Sequence, residues 1–405
     1  MNKPVSFLCI ASYYKGNRFM QALHECGATV YLLTSKKHED KDWPRESLEN
    51  IFYMESDDHN HWNMQDAIKG LAWLMRDHDI DRIVSLDDFD VEKGALLREE
   101  FRIDGMGQST ARYFRDKLAM RIKAKEAGIL VPEFTSLFHD ADINYFADTV
   151  PTPWMLKPRG EASATGIKKI YTKDDLWENI HDLKEDRHTF LLERFIPGQV
   201  YHMDSVLQDS KVAFVRCSQY LAPPFEVAHG GGIFRSATLD LDSEDHIQLA
   251  TLNEQIMHAF HMRYSATHSE ALKANDTGKF YFIETSARVG GAHIAEMVEA
   301  ATGLNLWAEW AKVEYANATK TVYDDPIMKK DLAGILISLI KDPKPDYNMF
   351  SDKEIVWRME DQDHHIGMIV SSHERQIVLD LLDKFSHVVK ERFHAAAPAP
   401  DKPIH

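Results

Sequence analysis

The first hundred residues alternate between short apolar runs and stretches with helical spacing, and this alternation restricts the fold more than any other feature of the chain. Val5–Ala11 is strand-like, Gly16–Cys26 is helical in pattern, Gly27 ends that helix, and Ala28–Thr34 is a second strand rich in Val, Tyr and Leu. Further on, Ile68, Leu71, Ala72 and Met75 recur at i, i+3, i+4 and i+7, followed by a strand at Arg82–Leu86, the acidic turn Asp87-Asp88-Phe89-Asp90 and a helix to about Phe101. Strands that alternate with helices imply an open parallel sheet covered on both faces, so residues 1–110 are expected to form a Rossmann-like N-terminal domain. Ser12-Tyr13-Tyr14-Lys15-Gly16 is not G-x-G-x-x-G, and the lobe is therefore read as substrate-side or structural.

Composition narrows the function classes. The 47 Lys and Arg against 64 Asp and Glu give a formal net charge of −17. A surface this acidic repels phosphate backbones and anionic lipids, so neither nucleic acid nor membrane is expected as a partner. No apolar run approaches the roughly 18–20 residues of a membrane span. Three cysteines far apart, Cys9, Cys26 and Cys217, suit neither a disulfide framework nor a zinc site, and a reducing, cytoplasmic setting is expected.

From about Asp104 the pattern changes. A charged helix over Asp116–Ala127 ends at Gly128, and short strands follow near Trp154–Lys157, Ile167–Tyr171, Phe190–Glu193, Val200–Leu207 and Val212–Arg216, with a helix near Asp174–Leu183. Strands joined by hairpins imply antiparallel sheet, so the chain as a whole is read as α/β followed by α+β. Helices at about Asp245–Phe260 and Trp307–Asn317, a strand at Phe280–Glu284, an apolar run Ala333–Ile340, a strand at Glu354–Met359 and a helix at about Ser372–Phe393 complete it. The expected division is a core at 111–325, with a small lobe at about 111–195 and a large lobe at about 196–325, then a C-terminal subdomain at 326–394 and a disordered Ala- and Pro-rich tail at 395–405. Trp73 and Trp177, on amphipathic helices, are expected in the core.

Three segments carry chemistry. Glu270 and Glu284 lie on the arms of a hairpin turning at Asn275–Gly278, which can bring both carboxylates to one end of a sheet as oxygen donors for hard cations. Arg288 follows four residues later, placed to meet anionic oxygens that metals also hold. Taken singly, these residues read equally as surface acids with a salt-bridge partner. In the second segment Lys157 ends an apolar strand before the loop Arg159–Gly166, offering an ammonium and backbone N–H groups to oligophosphate, although a snorkelling lysine beside a flexible loop has the same pattern. In the third, the strand Phe190–Glu193 breaks at Pro197-Gly198, which suits either an adenine-binding hinge or a plain strand-to-strand turn.

These segments, in this order, resemble the ATP-grasp superfamily of carboxylate–amine ligases over roughly Asp116–Gly291, with the entry Asp116-Lys117-Leu118-Ala119-Met120-Arg121 matching that family's approach to the nucleotide. The resemblance implies an ATP-grasp fold in which Lys117 and Lys157 contact ATP phosphates beneath a loop that includes Ser163 and Gly166. It implies an adenine hinge at Glu193, Arg194, Phe195 and Ile196, and ribose contacts from Gln199 and Asp204. Glu270, Glu284 and Ser286 would hold two Mg²⁺ ions, or Mn²⁺ in their place, and Arg288 with Lys157 would act in catalysis. Ser286 stands where the family usually has Asn, a weaker donor for the second ion, and Gln199 stands where the family often has an acid.

The tail Arg288-Val289-Gly290-Gly291-Ala292-His293 and the loop His229-Gly230-Gly231-Gly232 are similar to those of the L-amino-acid ligase branch, which implies a substrate pocket near His229, Gly231, Arg288, Gly291 and His293. The implied activity joins a small carboxylate to an amine through an acyl phosphate with release of ADP. A ligase acting on a macromolecule and a non-catalytic ATP-binding regulator are the alternatives, and a homodimer is common for this resemblance. His229, His268 and His293 are the candidates by position for the base that takes the amine's proton. His59, His61, His364 and His365 are read as solvated loop residues.

Overall fold

The computed structural model describes residues 3–57, 60–161, 165–225, 227, 231–360 and 362–395. The N-terminal alternation folds as β1 (Ser6–Ala11), α1 (Asn17–Glu25), β2 (Thr29–Ser35), β3 (Asn50–Met54), α2 (Met64–Leu74), β4 (Arg82–Ser85) and α3 (Val91–Phe101). The strands pair in parallel in the order β3-β2-β1-β4. β1 is buried along its whole length, as a central parallel strand with helices on both faces must be. The half-buried β3, with the apolar run Ile51-Phe52-Tyr53-Met54, was not read from the sequence.

A short helix α4 (Gln108–Ala111) leads to α5 (Lys117–Glu126), whose N-terminus is capped by the Asp116 carboxylate accepting from the Leu118 and Ala119 amides. Next come β5 (Phe134–Ser136), α6 (Asp140–Thr149), β6 (Trp154–Pro158), β7 (Lys168–Ile170), α7 (Lys173–Asp182) and β8 (Phe190–Arg194). They form a small antiparallel sheet in the order β5-β8-β6-β7, packed on α6 and α7 through Phe146, Trp154, Leu156, Leu176 and Ile180.

The remaining elements are β9 (Gly198–Gln208), β10 (Lys211–Tyr220), β11 (Phe234–Thr238), α8 (Glu244–Ala259), β12 (Ser265–Ala274), β13 (Phe280–Ser286), α9 (Ile294–Thr302), α10 (Leu306–Thr319), β14 (Leu332–Leu339), β15 (Ile355–Arg358), β16 (His365–Ser372) and α11 (Arg375–Arg392). Their strands make one eight-stranded antiparallel sheet, β13-β12-β9-β10-β11-β14-β16-β15. The β9–β10 hairpin turns at Asp209 and Ser210, both at positive φ, as a two-residue turn matched to strand twist requires. Strands β14–β16, from the span read as a separate C-terminal subdomain, continue the sheet that begins at β13.

The parallel sheet docks on the large one through a shared core. Phe19 of α1 meets Trp310 of α10 at 4.7 Å between ring centroids, and Val206, Phe214 and Ala266 close the other side. Trp73 corrects its expectation. Ala67, Leu71 and Leu74 take the inner face of α2, and Trp73, well round the helix from them, is 64% exposed. Trp177 packs against the small-sheet core as expected.

Candidate active site

Two strands at one end of the large sheet set the site. The β12–β13 register places Glu270 directly opposite Glu284, and the pairing shifts immediately afterwards, so that Ala271 faces Phe282 and Ile283 is left over. This bulge frees the Ile283 carbonyl, which accepts from Arg121 of α5. The outer edge of β13 is further held where Phe282 N–H donates to the Leu130 carbonyl at 2.8 Å. The hairpin read from the sequence is therefore present, with its carboxylates in register.

Each cation of the site meets a carboxylate. Lys117, at the first turn of α5, lies 2.9 Å from Glu284 and donates to the Glu161 carbonyl at 2.6 Å. Lys157, at the end of β6, pairs with Glu193 of β8, whose second oxygen takes Arg121 at 2.9 Å and 3.1 Å. Burial pushes the Glu193 carboxyl up, but Arg121 and Lys157 overcome that and hold it down to about 2. Arg288 donates through Nε to Asp88 at 2.8 Å and through Nη1 to its neighbour's carbonyl, that of Val289, at 2.9 Å. Burial likewise raises the Asp88 carboxyl, and Arg288 with Arg115 drives it well below the usual carboxylate range. Asp88 belongs to the acidic turn after β4, so this pair ties the parallel sheet to the site. The turn itself is anchored by Asp90, which accepts from the Ser12 amide at 2.7 Å and pairs with Lys93.

Behind Glu270 lies a buried polar cluster. Asp204 of β9 accepts from His202 at 2.6 Å and from His268 at 2.8 Å, and His202 reaches the Ser236 hydroxyl at 2.7 Å. His268 Nε2 stands 3.6 Å from Glu270, and Tyr220 donates to Glu270 at 2.9 Å. Burial lowers His268, but Asp204 and then Glu270 raise it to about 9. Gly290 is required here: a Cβ at that position would lie 2.9 Å from His268 Nδ1 and 3.0 Å from Asp204 Oδ1.

The expected residues separate into groups. Lys117, Glu270, Glu284, Ser286 and Arg288 gather at the end of β12 and β13, and Lys157 with Glu193 lies on the small sheet, joined to them through Arg121. Asp204 is corrected: its side chain is fully buried with both oxygens taken by histidines, so it presents no group to a ribose. Glu193 is also inward, with 2% of its side chain exposed, and its carboxylate serves the two cations instead of an adenine. Backbone N–H groups of Arg194 and Phe195 are spent on the Glu133 and Pro153 carbonyls, Lys169 lies 3.6 Å over the Phe195 ring, and Ile196 is buried. Gln199 is exposed, its carboxamide oxygen accepting from Gln219 at 2.7 Å. Gly166 and Gly231 take positive φ, and Gly291 has open space where a side chain would project. His293 rests on Trp357 at 4.7 Å between centroids and 3.6 Å from Glu296, which ties it to α9 and β15. Ser163, His229 and His59 lie outside the described residues.

Sequence reasoning missed Asp88, Tyr220 and His202 as partners of the site. The signal for Asp88 was the run of acids directly after a parallel strand, where side chains at the C-terminal edge converge. Among the described residues, the three-member group whose ligand atoms converge within 4.8 Å is His202, Asp204 and His268, and these satisfy one another by hydrogen bonds. For Mg²⁺, the fitting donors are Glu270, Glu284 and the Ser286 hydroxyl, all oxygen and all on adjacent strands.

No protein-family model matches the chain. It is 27% identical over 253 residues to an L-arginine-specific L-amino acid ligase of Bacillus subtilis, an alignment that takes in 61% of this chain and 59% of that relative, less than two thirds of its length. The crystal structure of an L-amino acid ligase from Bacillus licheniformis superposes with a TM-score of 0.73 at 16% identity, covering 97% of this chain and 99% of that one. An N5-carboxyaminoimidazole synthetase from Staphylococcus aureus, complexed with ADP, superposes at 0.69 and 15% identity over 95% of this chain and 98% of that one. These likenesses show the fold: with its parallel N-terminal sheet, small antiparallel sheet and large antiparallel sheet, the chain carries the ATP-grasp fold.

Proposed function

We propose that this protein is an ADP-forming ligase that joins the carboxylate of one small amino-acid-like substrate to the amine of another. The observation that carries the reading is the register of Glu270 against Glu284 with Lys117, Ser286 and Arg288 at the same sheet end. The names of the relatives support the substrate class, and the ADP complex of a fold neighbour supports ATP as the phosphoryl donor.

A carboxylate is a poor electrophile because its leaving group would be oxide. In the proposed reaction its oxygen attacks the γ-phosphorus of ATP, the bond to the β-phosphate oxygen breaks, and ADP leaves. The amine then attacks the acyl carbon, phosphate departs with the C–O electron pair, and one amine proton is lost. Two Mg²⁺ ions held by Glu270, Glu284 and Ser286 would neutralise phosphate charge. Lys117 and Lys157 hold the phosphate chain, and Arg288 turns from Asp88 toward the equatorial oxygens as charge moves among them. His268, fixed by Asp204 and facing Glu270, keeps that carboxylate oriented. Free thiols at Cys9, Cys26 and Cys217 support a reducing, cytoplasmic setting, and no helix among the described residues is long and apolar enough to cross a membrane.

The test is ADP release from the purified chain with pairs of amino acids, product masses being read in parallel. A product equal to the two substrates less water is expected. ADP release with no pair of free amino acids or related acids and amines would remove the reading.

A further inference from the structure

A cavity lies just past the end of β13, and neither Glu270 nor Glu284 lines it. β13 ends at Ser286, and Ala287 just past it is buried in the same apolar cluster as Phe282. Ala287 lines a cavity of about 310 Å³ enclosed between β4, α3, the turn before β12 and α10. That size falls at the lower end of the roughly 300–1,000 Å³ typical of small-ligand sites.

Its walls carry Glu314 and the guanidiniums of Arg82 and Arg98, with no ion pair between that carboxylate and either arginine. Glu314 of α10 faces the cavity, one oxygen accepting from the Trp310 indole at 3.1 Å and the other without a partner among the described residues. Across from it, Arg98 is 6% exposed and is held by the carbonyls of Met106 at 2.9 Å and Ile83 at 2.7 Å, which leaves Nη2 unspent. Gly105 lets the chain close over this arginine, since a Cβ there would lie 2.7 Å from Arg98 Cδ. Arg82 lines the same space with its Nε buried and unpartnered, its nearest carboxylate being Asp104 at 3.8 Å. A buried polar group without a partner is costly, and burial pushes the Glu314 carboxyl up to about 7.

We propose that this cavity is a binding site, separate from the ATP-grasp centre, for a free α-amino acid, whose carboxylate pairs with Arg82 and Arg98 and whose ammonium pairs with Glu314. An α-amino acid carries both charges in one small molecule, an anion for the two guanidiniums and a cation for Glu314. Ala287, next to Arg288, and Ser85, three residues before Asp88, line the cavity, but neither member of that ion pair does. The inference needs no catalysis and stands apart from the ligase reading.

The experiment is titration calorimetry of the full chain, free of ATP and metal, with L-alanine, L-leucine and L-arginine, and with acetate and ethylamine as half-ligands. At least one amino acid is expected to bind, the half-ligands at least tenfold more weakly. Glu314→Gln keeps the Trp310 bond and should weaken binding at least tenfold. Asn317→Phe, which puts a ring into the cavity from α10, should do the same, and serves alone if Glu314→Gln melts early. Arg288→Ala at the catalytic centre should leave this binding in place. Binding equal in the Glu314→Gln and Asn317→Phe variants, binding lost in Arg288→Ala but kept in Glu314→Gln, or no binding by any of the three amino acids overturns the proposal.

Discussion

Single residues of this site have two duties, and substitutions separate them. Glu284 is 31% exposed on its side chain and contributes little packing. Glu284→Ala is expected to abolish ATP turnover and to cost about 1 kcal/mol of stability or less. A coupled assay for ADP with a thermal melt reads both, and full turnover would remove the metal assignment. Lys157→Ala should raise the KM for ATP strongly. It also leaves the buried Glu193 with Arg121 alone, so a destabilisation of about 1–3 kcal/mol accompanies it. Urea unfolding measures that cost, and an unchanged KM would take Lys157 out of the nucleotide site. Glu193 gives a pH signature with a definite sign. Its folded value is about 2 against an ordinary 4.5, so the stability it adds is complete above about pH 4.5 and drains as pH falls toward 2. The melting difference between the native chain and Glu193→Gln should hold near neutrality and shrink across that interval.

At the scale of elements, the decisive piece is the bulged hairpin of β12 and β13. Its end is closed over by Gly290, where Gly290→Ala sets a methyl 2.9 Å from His268 and 3.0 Å from Asp204. A loss of about 1–3 kcal/mol is expected from overpacking, seen as a lower melting temperature, with the Tyr220–Glu270 side of the site displaced and kcat reduced. Elements with strong periodicity were legible in the sequence. β1, β2, α2, β9, β10, the β12–β13 hairpin and α11 all follow from apolar spacing and turn residues. β3, β11 and β16 were not read from that spacing, because their assignment depends on which strand lies alongside and local spacing carries no record of it. The same limit explains the site. The pairing of Glu270 with Glu284 was readable because one short hairpin makes it, whereas Asp88 meets Arg288 across 200 residues of chain. Asp204 was misassigned because its sequence position after the hinge says nothing of two histidines that bury it.

For the molecule as a whole, the large sheet sets what can be removed. β14 pairs with β11 and β16, and the core under α11 includes Ala237 of β11 with Leu336, Met368 and Phe385. A chain cut after residue 325 should therefore fail to fold cooperatively, losing a sharp melt and precipitating, instead of releasing an intact nucleotide-binding unit. A soluble product with a single sharp transition would show that the C-terminal strands are dispensable.

The three cations nearest the proposed phosphate path, Lys117, Lys157 and Arg288, each rest against a carboxylate: Glu284, Glu193 and Asp88. Binding of a triphosphate is thus an exchange of partners, with acidic groups handed over to metal or solvent as phosphate oxygens take their place. An exchange releases few bulk ions, so affinity for the nucleotide should vary less with ionic strength than three free cations would dictate. It also sets a threshold, since chloride or a single phosphate offers too little charge to displace three carboxylates at once, and the resting centre stays closed to the common anions of its surroundings.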